Sequence, residues 1–271
     1  MNNNNPKIVV LTDLNSSSEM VMTNAINVAK LIGAQLEVFH VKKPSEIVNS
    51  DSQLSALRTI NESSLQIDKK MKAFLDPFKG EGVAIKQSFM IGNVKNEIEN
   101  YINERDPELI VMGKRKASTF KLLGDGLTEF LLNSYKGMVL IAGSANMLKN
   151  TMSLKLGAYN VSKDELEQGF AKTLMEKSNN PVRSFKVVEK PDAKQMSAES
   201  NTSGVVEYVF EQNDNVVNNI SNYVAKNELD LLFVDRPSNS DNSNSVTKVK
   251  SLLKKNEVSV LFPGHNKFNL N

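Results

Sequence analysis

The apolar run from Leu109 to Met112 is too short for a helix and is closed by Gly113. Such a run, bounded by turn residues, fits a strand buried on both faces of a parallel sheet. A charged loop with Gly124 and Gly126 follows. Leu127, Phe130, Leu131 and Leu132 then recur at helical spacing, and a second apolar run extends from Met138 to Ala142. Strand, glycine loop, helix and strand make a βαβ unit. Its loop lies outside the carboxyl ends of the strands, where parallel sheets bind ligands.

The chain before it repeats the alternation. Lys7 to Thr12 reads as a strand with Asp13 at its carboxyl end. Asn15 to Ser18 offer helix N-cap chemistry, Val21, Ala25, Val28, Ala29 and Ile32 form a helical stripe, and Gly33 is a stop. Gln35 to Val41 is a second strand. A long, mostly polar helix passes through Leu54, Leu57, Ile60, Leu65, Ile67, Met71 and Leu75, after a loop from Pro44. Val83 to Met90 is a third strand, and a helix from Asn93 with Val94, Ile98, Tyr101 and Ile102 inside ends at Asp106 and Pro107. Five strands and four helices by Ala142 predict a doubly wound α/β domain over residues 1–145.

Residues 146–271 repeat it in shortened form. At one constant offset Asn93, Val94, Asn96, Ile98, Asn100, Tyr101 and Leu109 become Asn215, Val216, Asn218, Ile220, Asn222, Tyr223 and Leu231. At a larger offset Asp13 falls on Asn160, and Val38 and Val41 fall on Phe185 and Val188. The offset changes because Lys190 to Gly204 replaces most of the long helix. Leu231 to Val234 and Val258 to Phe262 read as strands four and five of the second copy, with a helix over Lys248 to Lys255 between them. The fifth strands, Met138 to Ala142 and Val258 to Phe262, are expected at the sheet edge, where they help dock the halves.

Composition removes several functions. A net charge of +2 gives no field for nucleic acid or membrane, and tryptophan is absent. There are no cysteines, which excludes disulfides and thiolate sites and agrees with a reducing compartment. No apolar stretch is long enough to span a membrane and no signal peptide is read, so the chain reads as cytoplasmic. His40 and His265 are too far apart in pattern to suggest a shared metal site, and no acid–base constellation, GxSxG elbow or HExxH helix is present.

With these residues in view, the pattern resembles the universal stress protein family. KIVVLTD with Asp13, the helix through Ala29, LEVFHV ending at Val41, the GNVKNEIENYI helix and ELIVMG carry the resemblance, and LDLLFVDR extends it to the second half. It implies two Rossmann-like, adenine nucleotide alpha-hydrolase-like domains with five-stranded parallel sheets, the second abbreviated. It also implies pairing of the two halves and leaves a homodimer and an unidentified protein partner open. Many members bind ATP through an aspartate after strand one and a loop of the form Gly-x2-Gly-x9-Gly-[Ser/Thr]. Here Asp13 fits the aspartate, Val41 the residue whose backbone meets the adenine, and Gly113 and Gly126 the first and third glycines.

The departures carry physical weight. Lys116 stands at the second glycine, where a side chain crowds the backbone's approach to phosphate, and Leu127 stands at the hydroxyl position, with Thr128 one residue late. Lys114, Arg115 and Lys116 add positive charge, while Asp125 beside Gly124 is of the wrong sign. In the second half Asn160 stands for the aspartate and Asp235, Arg236, Pro237 and Ser238 replace the loop, so that site reads as lost. Three functions therefore stay open. One is a non-enzymatic stress-response protein binding an adenine nucleotide in the first half, with Asp13, Val41, Gly113, Lys114, Gly126 and Thr128 around it. Another is a nucleotide-free interaction scaffold. The third, disfavoured by the loop, is a slow ATP hydrolase. Mg²⁺ enters only if ATP binds, with Asp13 as its holder in the hydrolase reading.

Overall fold

The computed structural model describes residues 5–15, 17–46, 53–114, 126–143, 148, 154–166, 169–176, 178, 180–188, 204–213, 215–236 and 243–264. The chain forms two compact units, residues 1–113 and 114–271.

In the first unit four parallel strands stand in the order β3-β2-β1-β4: β1 (Lys7–Leu11), β2 (Gln35–Lys42), β3 (Ile85–Ile91) and β4 (Leu109–Gly113). Strands β1 and β4 are buried almost along their whole length, as an unbroken apolar run requires. Helix α1 (Ser18–Ile32) buries Val21, Met22, Ala25, Ile26, Val28 and Ala29, and it stops where Gly33 takes a left-handed φ of 68° and its N–H closes on Ala29. Helix α2 (Gln53–Leu75) is the long polar helix; among its described side chains it buries Ile67, Met71 and Leu75. Helix α3 (Val94–Arg105) is capped by Asn93, whose side chain accepts from the N–H groups of Lys95 and Asn96. Tyr101 on α3 stacks on Phe39 of β2 at 3.8 Å between ring centres, fixing that helix to the sheet. The third strand begins two residues later than the apolar pattern predicts, because the turn before it, with Gly80 and Gly82 at positive φ, runs on to residue 84.

The second unit contains β5 (Met138–Ala142), β6 (Leu156–Tyr159), β7 (Val182–Val188), β8 (Val205–Glu211), β9 (Leu231–Val234) and β10 (Ser259–Phe262), in the order β5-β10-β9-β6-β7-β8. All are parallel except β5, which pairs antiparallel with β10 through Val139–Phe262, Leu140–Leu261 and Ile141–Val260. That pairing draws β5 into the second compact unit, ahead of the repeat boundary read from sequence. Helices α4 (Leu127–Ser134), α5 (Lys163–Leu166), α6 (Gly169–Glu176), α7 (Val216–Lys226) and α8 (Ser243–Lys255) complete it. Two short helices, α5 and α6, stand between β6 and β7 where a single helix, α1, stands in the first repeat. Among the described residues no helix is long and apolar enough to cross a membrane.

The ladders correct the repeat's register. Leu11 pairs with Phe39 as Tyr159 pairs with Phe185, and the N–H of Thr12 reaches the Phe39 carbonyl as that of Asn160 reaches Phe185. Asn160 is thus the counterpart of Thr12, and the buried Val161 is that of Asp13. The connection between β6 and β7 is shorter than that between β1 and β2, so one offset cannot fit both strands. Strand four keeps its offset: Leu11 faces Met112 and Tyr159 faces Val234, which makes Asp235 the counterpart of Gly113 and Arg236 that of Lys114.

Candidate functional site

In the first unit the chain runs outward from β1 to β2 and β3, then returns to the other side of β1 as β4. The reversal makes the carboxyl ends of β1 and β4 a topological switch point, the position at which open α/β sheets hold ligands. Asp13 lies just beyond β1, Val41 near the end of β2, and Gly113 at the end of β4.

The loop that presents Asp13 is tightly specified. Thr12 Oγ1 accepts from the Leu14 N–H at 3.0 Å, and Leu14 is held at φ 57°, a left-handed conformation that costs a non-glycine residue about 1–2 kcal/mol. The turn leaves Asp13 exposed. Ser18, the first residue of α1, donates its hydroxyl to Asp13 Oδ1 at 3.0 Å, so the carboxylate is anchored on one oxygen. The other oxygen can accept from a hydroxyl such as a ribose OH.

His40, which the sequence suggested only as an improbable metal ligand, has a structural role at the strand ends. It is buried on β2, and its Nδ1 lies 2.8 Å from the Thr12 carbonyl. That nitrogen must donate, which leaves Nε2 as the acceptor in the neutral ring. Burial lowers its pKa; the Thr12 carbonyl opposes this, Lys42 adds to it, and Asp13 and Glu46 oppose it. His40 therefore ties the ends of β1 and β2 together beside Val41. The available signal was its place one residue before Val41, at the mouth of the sheet.

Gly113 has a packing reason of its own. A Cβ there would stand 2.7 Å from Val21 Cγ2, so glycine lets the end of β4 close against α1. In the second unit, Gly126 takes φ 74° as the N-cap of α4, a conformation natural to glycine. Thr128 is buried in the first turn of that helix. Lys114 is half-buried, and its ammonium donates to the Asn256 carbonyl at 2.5 Å. Burial lowers its pKa, with Glu257 acting in the opposite direction. Arg115, Lys116, Gly124, Asp125, Pro237, Ser238 and His265 lie outside the described residues, as does 190–203. Among the described residues no cluster of three or more His, Asp or Glu could hold a metal.

The universal stress protein family model matches residues 4–142 of this chain. A universal stress protein from Archaeoglobus fulgidus DSM 4304 is similar in fold over 95% of this chain and 96% of its own, with a TM-score of 0.72 at 20% identity. A functionally unknown protein from Pseudomonas aeruginosa PAO1 is similar over 97% of this chain and 94% of its own, with a TM-score of 0.64 at 13% identity. No curated protein sequence matches the chain. At these identities the structural likeness speaks for the fold: both repeats are Rossmann-like.

Proposed function

The chain belongs to the universal stress protein family, and from that premise we propose that it is a non-enzymatic stress-response protein whose first repeat takes an adenine nucleotide by its adenosine end. Asp13 accepts from the ribose, the backbone at Val41 meets the adenine edge, and Gly113 stands where the phosphate loop begins. The observation that carries the reading is the exposed Asp13 carboxylate at the switch point of β3-β2-β1-β4, held on one oxygen, with no hydrogen bond to the other among the described residues. A carboxylate so placed suits a diol, because both ribose hydroxyls are donors. The second repeat takes no nucleotide, since Val161 and Asp235 stand where Asp13 and Gly113 do.

A second reading, the nucleotide-free scaffold, draws on Gly113, whose packing against Val21 accounts for glycine without any ligand. The experiment that separates the two is a titration of the purified protein with ATP·Mg²⁺ by calorimetry, alongside anion exchange of the supernatant from denatured protein. Saturable binding by the native chain that Asp13→Ala weakens at least about tenfold, the worth of about 1.4 kcal/mol, supports the nucleotide reading. No binding and no released nucleotide refutes it. Release of ADP on prolonged incubation would move the protein to the hydrolase reading.

A further inference from the structure

Lys114 and Arg236 occupy the same place in the two repeats, directly after the fourth strand, and they do the same thing. Lys114 donates to the carbonyl of Asn256, which follows α8 and closes it through its own N–H to Leu252. Arg236 donates to the carbonyl of Tyr135, which follows α4 and closes it through its N–H to Leu131. Its guanidinium also reaches Leu132 at 3.4 Å and Gly137 at 2.6 Å. Each cation thus sits on the open carbonyl end of the helix that leads into the other repeat's fifth strand. Helix C-termini carry unsatisfied carbonyls and partial negative charge, so a cation is the group that fits there.

The glycines that end the fifth strands share the symmetry. A Cβ on Gly143, after β5, would run into the carbonyl of Glu257 and the backbone of Val258 and Ser259, which lead into β10. A Cβ on Gly264, after β10, would meet the Lys136 carbonyl at 2.9 Å and Gly137, which lead into β5. The antiparallel β5–β10 pair, two glycines and two cations form one pseudo-two-fold set.

We propose that Lys114 and Arg236 are reciprocal clamps that lock the β5–β10 seam between the repeats, and that this is their function in place of phosphate binding. The chemistry is matched on each side. Among the described residues, the side with three converging carbonyls takes the guanidinium, whose donors fan out in a plane, and the side with one takes the ammonium. Arg236 is only 6% exposed, and among the described residues its hydrogen-bond partners are carbonyl oxygens, with no carboxylate. Its Nε has no partner among the described residues. A guanidinium held on carbonyl dipoles is costly to bury, and the clamp is what that cost secures. Asn256 is itself fixed, with its Nδ2 donating to Ser221 Oγ at 3.0 Å, so the carbonyl offered to Lys114 does not wander.

The test is hydrogen exchange on the full chain, comparing segments 138–143 and 259–264 with segments 182–188 and 205–211, which lie on the far side of the same unit. Arg236→Met is expected to speed exchange in both seam segments at least about tenfold and to leave β7 and β8 unchanged, because local opening is read segment by segment. Lys114→Met is expected to do the same to a smaller extent, and Lys114→Arg and Arg236→Lys to retain most of the protection. If Arg236→Met does not fold, Lys114→Met and Arg236→Lys decide. Unchanged exchange at the seam in Lys114→Met overturns the proposal. So does faster exchange spread evenly to β7 and β8, which would make the cations general supports of the unit.

Discussion

Replacing Gly143 by alanine adds one methyl group at the tightest backbone approach of the seam. The new Cβ would overlap the Glu257 carbonyl and lie 2.6 Å from Val258 C and 2.7 Å from Ser259 N. All three are main-chain atoms, so no side chain can swing aside; β5 and the lead into β10 must move apart. Overpacking of this kind costs about 1–3 kcal/mol, and rigid backbone on the receiving side argues for the upper end. The displacement also strains the buried bond from the Gly143 N–H to Ser259 Oγ, 3.1 Å long, worth about 1 kcal/mol. A total of about 3–4 kcal/mol lowers Tm by about 6–16 °C in a chain of this size. Gly264→Ala is the internal control. Its nearest atoms stand at 2.9 and 3.0 Å, a few tenths of an ångström from tolerable contact, so a cost of about 1 kcal/mol and a shift of about 2–4 °C are expected. Differential scanning calorimetry of the two variants against the native chain measures both. A shift below about 3 °C for Gly143→Ala, or a larger shift for Gly264→Ala, would refute the account of the seam as a close backbone contact.

Other outcomes follow from single residues. Asn93→Ala is expected to cost about 1 kcal/mol by urea unfolding, because the side chain caps two N–H groups of α3, whereas Asn215→Ala, whose side chain caps nothing in α7, is expected to stay within about 0.5 kcal/mol. Met71→Ala opens a cavity under α2, where the side chain is fully buried, and should cost about 2–5 kcal/mol; Leu65→Ala, 74% exposed on the same helix, should cost under about 0.5 kcal/mol. His40 has a folded pKa below its ordinary 6.5, chiefly through burial. The unfolded chain then binds the proton more readily, so the His40 contribution is complete above about pH 6.5 and is lost as pH falls through the lowered folded value. His40→Gln should flatten the part of the stability–pH curve just below pH 6.5; an unchanged slope there would show that another group sets it.

The βα alternation was legible because buried parallel strands must be written as short apolar runs and helices as stripes, and β1, β4, β5 and α1 obey this closely. The repeat was legible where the same side chains face the core, as with Ile98 and Ile220 or Tyr101 and Tyr223. It was misread at Asp13, because a change of connection length between strands one and two is invisible until the ladders fix the register. Val161 bears no chemical likeness to Asp13, so composition pointed to the nearby Asn160. The outward-facing candidates Asp13, Val41 and Gly113 could be placed at strand ends from the pattern alone. The employment of Lys114 could not, since a run of three cations says nothing about which carbonyl is left open elsewhere in the chain. His40 was weighed only as a metal ligand; its bond to the Thr12 carbonyl depends on strand pairing that no local pattern encodes.

The seam also bears on how such a surface can change. When two identical subunits meet across a two-fold axis, every substitution appears twice, and each must be acceptable on both sides at once. Here both faces lie on one polypeptide, and a tether keeps them at high effective concentration whatever the dilution. A lysine can then answer one carbonyl while an arginine answers three, and an asparagine can end one helix where a tyrosine ends the other. Covalent continuity turns a constraint that acted in pairs into two independent ones, and each half of the contact becomes free to drift alone.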